Sequence, residues 1–215
     1  FDLGIVGGGV FGLQLARQAL RRGLSVCVLE ADRIGAGASG GLLGALMPHI
    51  PDRWNAKQQF QYDALVDLEH EWEAREAATG LLTGYGRIGR LMPLREERFV
   101  ELAKSRAVGA REFWGAGGFS FEKIQVPKEW MDHNIAQYGA VFDTLAARLN
   151  PRLYLAALRA FVVAHPMGAV MENTPAHAQQ IAARSVCEHH FGNMAITAGF
   201  RSFPLLHALV DEDIG

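Results

Sequence analysis

At 215 residues, 49% hydrophobic and 20% charged, the chain has enough apolar side chains to bury a core and too little charge to stay disordered. Its formal net charge of −2 gives no general attraction to nucleic acid, and two cysteines exclude a disulfide framework. No stretch reaches the roughly 18 apolar residues of a membrane-spanning helix. The apolar N-terminus reads as a core strand rather than a signal peptide, and the cytoplasm is the expected location.

Leu3-Gly4-Ile5-Val6 is an apolar run that opens directly into Gly7-Gly8-Gly9-Val10-Phe11-Gly12. Gly7, Gly9 and Gly12 match G-x-G-x-x-G: the first glycine allows the tight turn, the second lets a pyrophosphate approach the backbone, and the third lets helix and strand pack closely. Leu13, Leu15, Ala16, Ala19 and Leu20 then recur at helical spacing, Gly23 ends the helix, and Leu24 to Leu29 is a β-rich run closed by Glu30. The order is β-α-β. Glu30 follows Gly12 by 18 positions, where an acid accepts hydrogen bonds from an adenosine ribose, and its charge argues against a 2′-phosphate.

Residues 35 to 48 form a second small-residue segment that an NAD domain would not need. Its small residues would let backbone approach a flat, extended ligand, and Ser39 is placed to cap a helix that follows it. Gln58 to Ala78 reads as a long helix with Phe60, Leu65, Leu68 and Trp72 on its packing face. Gly86 to Leu94 reads as a strand and Glu96 to Trp114 as a second amphipathic helix. Arg87 and Arg90 are candidates for a substrate carboxylate, since a guanidinium meets it through two parallel hydrogen bonds, against the plainer reading of solvated strand-end arginines. With Arg95 and Arg98 they could also form a local basic patch. Residues 115 to 138 read as loop with a short extended piece. Cys27 lies within the second strand and reads as core. Cys187, Glu188, His189 and His190 are too tightly spaced for a zinc site, so no metal is expected.

These motifs resemble the FAD-dependent amine and amino-acid oxidoreductases of the D-amino-acid oxidase and glycine oxidase type. They are similar also to the oxidase half of the enzyme that matures 5-methylaminomethyl-2-thiouridine in tRNA. The likeness is carried by Gly7 to Glu30, by Gly37-Ala38-Ser39 and by Gly44-Ala45-Leu46-Met47-Pro48. Further along it is carried by Gly139-Ala140-Val141-Phe142-Asp143 and by Leu149-Asn150-Pro151-Arg152-Leu153, where the next helix begins. It covers residues 1 to 172. Beyond, Asn173 to Gly192 is polar and His-rich, and Asn193 to Arg201 with Pro204 to Val210 looks like a shortened form of the family's last segment beside the flavin.

The resemblance implies an α/β fold: a Rossmann-like FAD-binding domain with a second, α+β substrate domain, incompletely represented. The FAD-binding domain would take residues 1–82 and 139–172, the substrate domain 83–138, and 173–215 would be a poorly matched tail after a missing stretch. Since the fold is usually longer and the sequence starts at Phe1, an incomplete or concatenated chain is expected. The resemblance also implies cofactor contacts at Val6, Gly7, Gly9, Val10, Phe11, Gly12, Glu30, Ala31, Ala38, Ser39, Gly41, Gly44, Ala45, Leu46 and Met47. His49 would lie beside the reactive edge of the flavin. Arg201 would bring a positive charge near the isoalloxazine, favouring the anionic reduced form.

The implied chemistry is oxidation of an amine or amino acid at its C–N bond by hydride transfer to flavin N5, with oxygen or another acceptor taking the electrons afterwards. No G-x-S-x-G or reactive cysteine motif points to a nucleophile instead. Two alternatives stand beside this reading: a tRNA wobble-uridine-modifying FAD oxidase, and a truncated flavin-binding protein without activity.

Overall fold

The computed structural model describes residues 1–127 and 129–212, without the side chains of residues 69, 70, 73–75, 77, 78, 211 and 212. The chain divides into two compact units: Phe1–Leu42, Arg75–Thr83 and Asn150–Gly215 form the first, Leu43–Ala74 and Gly84–Leu149 the second.

The first unit is built on a four-stranded parallel sheet in the order Asn193–Ile196, Leu3–Val6, Val26–Leu29, Gly168–Met171. Ile5, Val26, Cys27, Val28 and Leu29 are completely or almost completely buried, as expected of strands covered on both faces. The helix Val10–Arg21 connects the first two strands and buries Gly12, Leu13, Ala16, Arg17, Ala19 and Leu20. It packs beside the helix Pro151–Ala164, where Gln14 hydrogen-bonds to the Tyr154 hydroxyl and the Arg17 guanidinium lies over the Phe161 ring, 5.9 Å from its centroid. Pro151 occupies the first turn of that helix and Asn150 caps it, its side chain accepting from the Arg152 and Leu153 amides.

The stretch between residues 173 and 192, featureless as sequence, folds into a short helix, Ala178–Ala182, and a hairpin of Ser185–Val186 with His189–His190. Cys187 sits in the hairpin turn with φ 54°, and His189 meets the Phe1 ring edge-on at 5.5 Å. This hairpin delivers the chain to the strand Asn193–Ile196, which pairs in parallel with Leu3–Val6 in the register Leu3 to Asn193 and Val6 to Ile196. A cluster of Val6, Cys27, Leu29, Ala176, Ile181, Val186 and Phe191 forms the core on this side. Burial pushes the Cys27 thiol up to about 11, so it remains protonated and serves packing.

The second unit carries a three-stranded antiparallel sheet with Ala140–Asp143 between Arg90–Pro93 and Phe121–Ile124, and a two-stranded pair of Gly44–Leu46 with Ala147–Leu149. The helix Arg98–Phe113 packs on the Phe121–Ile124 strand, and Trp114 is fully buried in a cluster with Leu65, Leu94, Phe121, Val141 and Leu145. The long helix runs from Ala56 to Thr79, two residues earlier and one later than the pattern suggested. Leu65 and Trp72 are buried as the pattern requires, whereas Phe60, which helical period alone put on the packing face, is 76% exposed. The Gly86–Leu94 stretch is a strand only from Arg90, with Gly86 in a single bridge to Arg148.

Back in the first unit, Glu172 at the end of the Gly168–Met171 strand accepts from the Ile34 amide at 2.8 Å and from Arg159 at 3.0 Å. The Ile34 amide first, and the Arg159 guanidinium after it, hold its carboxyl below the ordinary range against the opposing effect of burial. A carboxyl with a lowered folded-state value stabilises the protein above its unfolded value, and that contribution is lost as pH falls through the folded value. Glu172→Gln is therefore expected to cost about 1 kcal/mol at neutral pH. In denaturant titrations the difference from wild type should shrink towards zero once the pH is acid enough to protonate Glu172 in the folded chain.

Candidate functional site at the carboxyl edge of the parallel sheet

In a parallel sheet the strand whose two neighbours connect in opposite directions leaves a crevice at its carboxyl end. Leu3–Val6 is that strand, with Val26–Leu29 on one side and Asn193–Ile196 on the other. Gly7 leaves it with φ 115°, a conformation that residues with a Cβ rarely adopt. A Cβ there would also lie 2.7 Å from the Thr197 carbonyl oxygen, and one on Gly12 would lie 2.0 Å from the carbonyl oxygen of Gly7. Backbone therefore passes backbone at the foot of the turn, and the helix seats directly on it.

The turn delivers the N-terminal end of the Val10–Arg21 helix to the crevice. Its first turn holds no acidic residue, and Gly9 provides no side-chain cap, so the positive end of the helix is not neutralised from within. One amide is satisfied from far along the chain: the Val10 N–H donates to the Ser39 hydroxyl at 3.0 Å. Ser39 thus caps the helix that precedes it. It sits in a single 3-10 turn, Ala38–Gly40, and no helix starts there for it to cap. Gly9 leaves only this hydroxyl near its open side, at 3.1 Å from where a Cβ would stand.

Glu30 closes the second strand at the same edge and is half-buried. Its carboxylate accepts from the Gly8 amide at 2.7 Å and from the Asp32 amide at 3.0 Å, which points it along the glycine turn. Val6 and Ala31 flank these residues, and Phe11, 80% exposed, projects from the first helical turn. Ala38 and Gly41 border Ser39 in the glycine loop. Arg201 lies in the 3-10 turn Gly199–Arg201 that follows Thr197 and Ala198, with its guanidinium 5.9 Å from the Phe200 ring centroid and its side chain exposed.

The remaining candidates belong to the second unit. Gly44, Ala45 and Leu46 form the strand paired with Ala147–Leu149. Gln61 brackets the next residues, donating to the Met47 carbonyl at 3.2 Å and accepting from the His49 amide at 2.6 Å, so that Pro48 is buried and His49 exposed. Arg87 donates to the Leu145 and Leu65 carbonyls at 2.7 and 2.8 Å and lies 4.9 Å from the Phe119 ring centroid. Arg90 pairs at 2.7 Å with Asp143, which is fully buried. Both arginines are committed to holding the unit together, neither solvated at a strand end nor aimed outward at a carboxylate.

Three residues of the crevice escaped the sequence reading. Thr197 shares its one hydroxyl proton between the Val6 and Gly7 carbonyls, 3.1 and 3.0 Å away. Glu172 holds the Ile34 amide, and Arg152 holds the Gly40 carbonyl at 3.0 Å. The local signals were a threonine after a short apolar strand, an acid closing a strand, and an arginine at a helix start. None of these names a partner more than a hundred residues away.

A parallel sheet with a glycine turn, a helix end and an acid at its switch point defines a dinucleotide-binding α/β domain. The particular family follows from comparison: residues 2–212 match the model described as DAO, FAD dependent oxidoreductase, and the chain belongs to that family. Glycine oxidase from Geobacillus kaustophilus superposes with a TM-score of 0.72 at 19% identity, over 98% of this chain and 58% of that one. L-amino acid deaminase from Proteus vulgaris, with its specific insertion sequence deleted, gives 0.71 at 17%, over 97% and 56%. The tRNA 5-methylaminomethyl-2-thiouridine biosynthesis bifunctional protein MnmC of Hydrogenovibrio crunogenus is 40% identical over 57 residues, 26% of this chain and 8% of that protein. The chain thus spans a little over half the length of the solved relatives and a small fraction of the curated one.

FAD is the cofactor of the family, and the residues present fit its dinucleotide part: an unneutralised helix end and small-residue turns for the phosphates, and an acceptor carboxylate, Glu30, for ribose hydroxyls. Among the described residues no helix is long and apolar enough to cross a membrane.

Two substitutions test the foot of the site. Gly12→Ala forces a methyl against the Gly7 carbonyl, with an expected loss of about 1–3 kcal/mol or more in chemical denaturation. Ser39→Ala removes a helix cap, with an expected loss of about 1 kcal/mol in the same assay.

Proposed function

We propose that this chain holds FAD at the carboxyl edge of its parallel sheet and that the protein oxidises the C–N bond of an amine or amino acid. The observation that carries the reading is the convergence of Gly7, Gly9, the Val10 helix end, Ser39 and Glu30 at the switch point of a chain in the FAD-dependent family. The names of the solved neighbours, a glycine oxidase and an L-amino acid deaminase, support the substrate class.

FAD, when bound, supplies the acceptor for the two electrons removed from the substrate. The chain supplies position and charge. The helix end and Ser39 orient the phosphates, and Glu30 accepts from the adenosine ribose, where two oxygens that now take the Gly8 and Asp32 amides have further lone pairs to offer. Arg201, after the strand beside the glycine turn, brings positive charge to the edge where negative charge develops during oxidation. Within the second unit, His49 and the small and apolar stretch Gly44 to Met47 are the residues that the family resemblance assigns to the substrate and to the flat part of the cofactor. Nothing in this arrangement calls for a strong base, because a neutral amine carries the electron pair that drives loss of hydride. Electrons then pass to oxygen or another acceptor.

A second reading has its own support: the 57-residue likeness to the tRNA-modifying protein. The substrate would then be a methylaminomethyl-type group on a tRNA wobble uridine.

Anaerobic mixing of the flavin-loaded protein with a panel of amino acids and secondary amines tests the first reading. Bleaching of the visible flavin band with at least one of them is expected. Bleaching only by tRNA carrying the modified base favours the second reading, and no bleaching by any donor contradicts both. In the same assay Arg201→Gln is expected to slow bleaching about tenfold at unchanged flavin content, and an unchanged rate removes Arg201 from the reaction.

A further inference from the structure

The loop that carries Ser39 is held at three points. At its start the Gly35 amide donates to the Gly8 carbonyl at 3.2 Å, and Leu155 of the Pro151–Ala164 helix fills the place where a Gly35 side chain would begin, 2.6 Å from an ideal Cβ. In its middle Ser39 accepts from the Val10 amide. At its far side Gly40 folds back so tightly that a Cβ there would stand 2.0 Å from the Gly35 carbonyl oxygen. The Gly40 carbonyl is then tied down by Arg152, whose Nε donates to it at 3.0 Å across 112 positions of sequence.

Arg152 is well placed to do this reliably. Its own backbone amide is fixed by the Asn150 cap in the first turn of the helix. Its guanidinium is planar, always charged and presents several donors in a fixed fork, so one of them can hold a carbonyl while the others stay available. The side chain is exposed, and among the described residues no carboxylate pairs with it. This bond ties Gly40 to the start of the Pro151–Ala164 helix, one residue after the Ser39 hydroxyl that meets the Val10 amide.

We propose that Arg152 is a positioning residue for the cofactor's phosphates: by holding the Gly40 carbonyl it keeps Ser39 against the first amide of the Val10–Arg21 helix. The inference rests on the reading that this edge holds the dinucleotide, and it assigns a role in that site to a residue of a different helix.

Calorimetric titration of the chain with ADP, which carries the adenosine and two phosphates but no flavin, tests it independently of activity. Arg152→Met keeps the apolar stem and removes the donor, Arg152→Ala removes both, and Arg152→Lys restores a charged donor on a flexible stem. The expected result is ADP binding weakened about fivefold to tenfold in both the Met and Ala variants. Binding should return to within about threefold in the Lys variant, and the ligand-free Met and Ala variants should lose no more thermal stability than Ser39→Ala does. Wild-type affinity in the Met variant overturns the role for Arg152 while leaving the dinucleotide reading intact. A well-folded wild-type chain that binds no ADP overturns both.

Discussion

The close passage of backbone past backbone at Gly7 is the constraint on which the rest of the site depends. The strand Asn193–Ile196 can lie in parallel beside Leu3–Val6 only if the chain leaving each strand clears the other, and Thr197 stands where any Gly7 side chain would be. Its amide donates to the Val6 carbonyl and its hydroxyl proton lies between the Val6 and Gly7 carbonyls, so acceptors that a sharp turn exposes are satisfied inside the fold. Gly12 then lets the helix settle on the Gly7 carbonyl. A doubly wound sheet, a seated helix and an open helix end follow from one set of small residues.

On the other side of the crevice, polar bonds do what close packing does at Gly7. The segment after Glu30 would be a loose loop by composition, yet it is stitched to the end of the Gly168–Met171 strand. The Asn173 amide donates to the Asp32 carbonyl, the Thr174 amide to that of Glu30, and Glu172 takes the Ile34 amide. The glycine loop beyond is bracketed by Gly8, Ser39 and Arg152. The acidic and hydroxyl groups that face the crevice are thus oriented before any ligand arrives, which lowers the entropic cost of binding one.

Where the sequence was legible, the signal was local and periodic. The β-α-β unit declared itself because an apolar run, three glycines at fixed spacing, a helical apolar face and a closing acid all lie within thirty residues. The helices around residues 56–79 and 98–113 followed from their periodicity, with small shifts at the ends, and the one at 151–164 from the resemblance carried by Leu149 to Leu153. Pairing between distant segments left no such trace. The four residues of Asn193–Ile196 have no period long enough to announce a strand, and their place beside residues 3–6 is set by the fold of the hairpin before them. Ser39 and Arg87 show the same limit. Residue type suggested a cap and a carboxylate binder, but which helix is capped and which acceptors take a guanidinium depends on elements that meet only in three dimensions.

The central claim is that the switch point of this sheet holds FAD through the glycine turn and Glu30. Fluorescence titration of FAD into the ligand-free chain, wild type beside Glu30→Ala, tests it most directly. The account predicts saturable one-to-one quenching of the flavin with wild type and an affinity loss of about tenfold on removing the carboxylate. A folded wild-type chain that leaves FAD fluorescence unchanged, or a Glu30→Ala chain that binds as tightly as wild type, would contradict it.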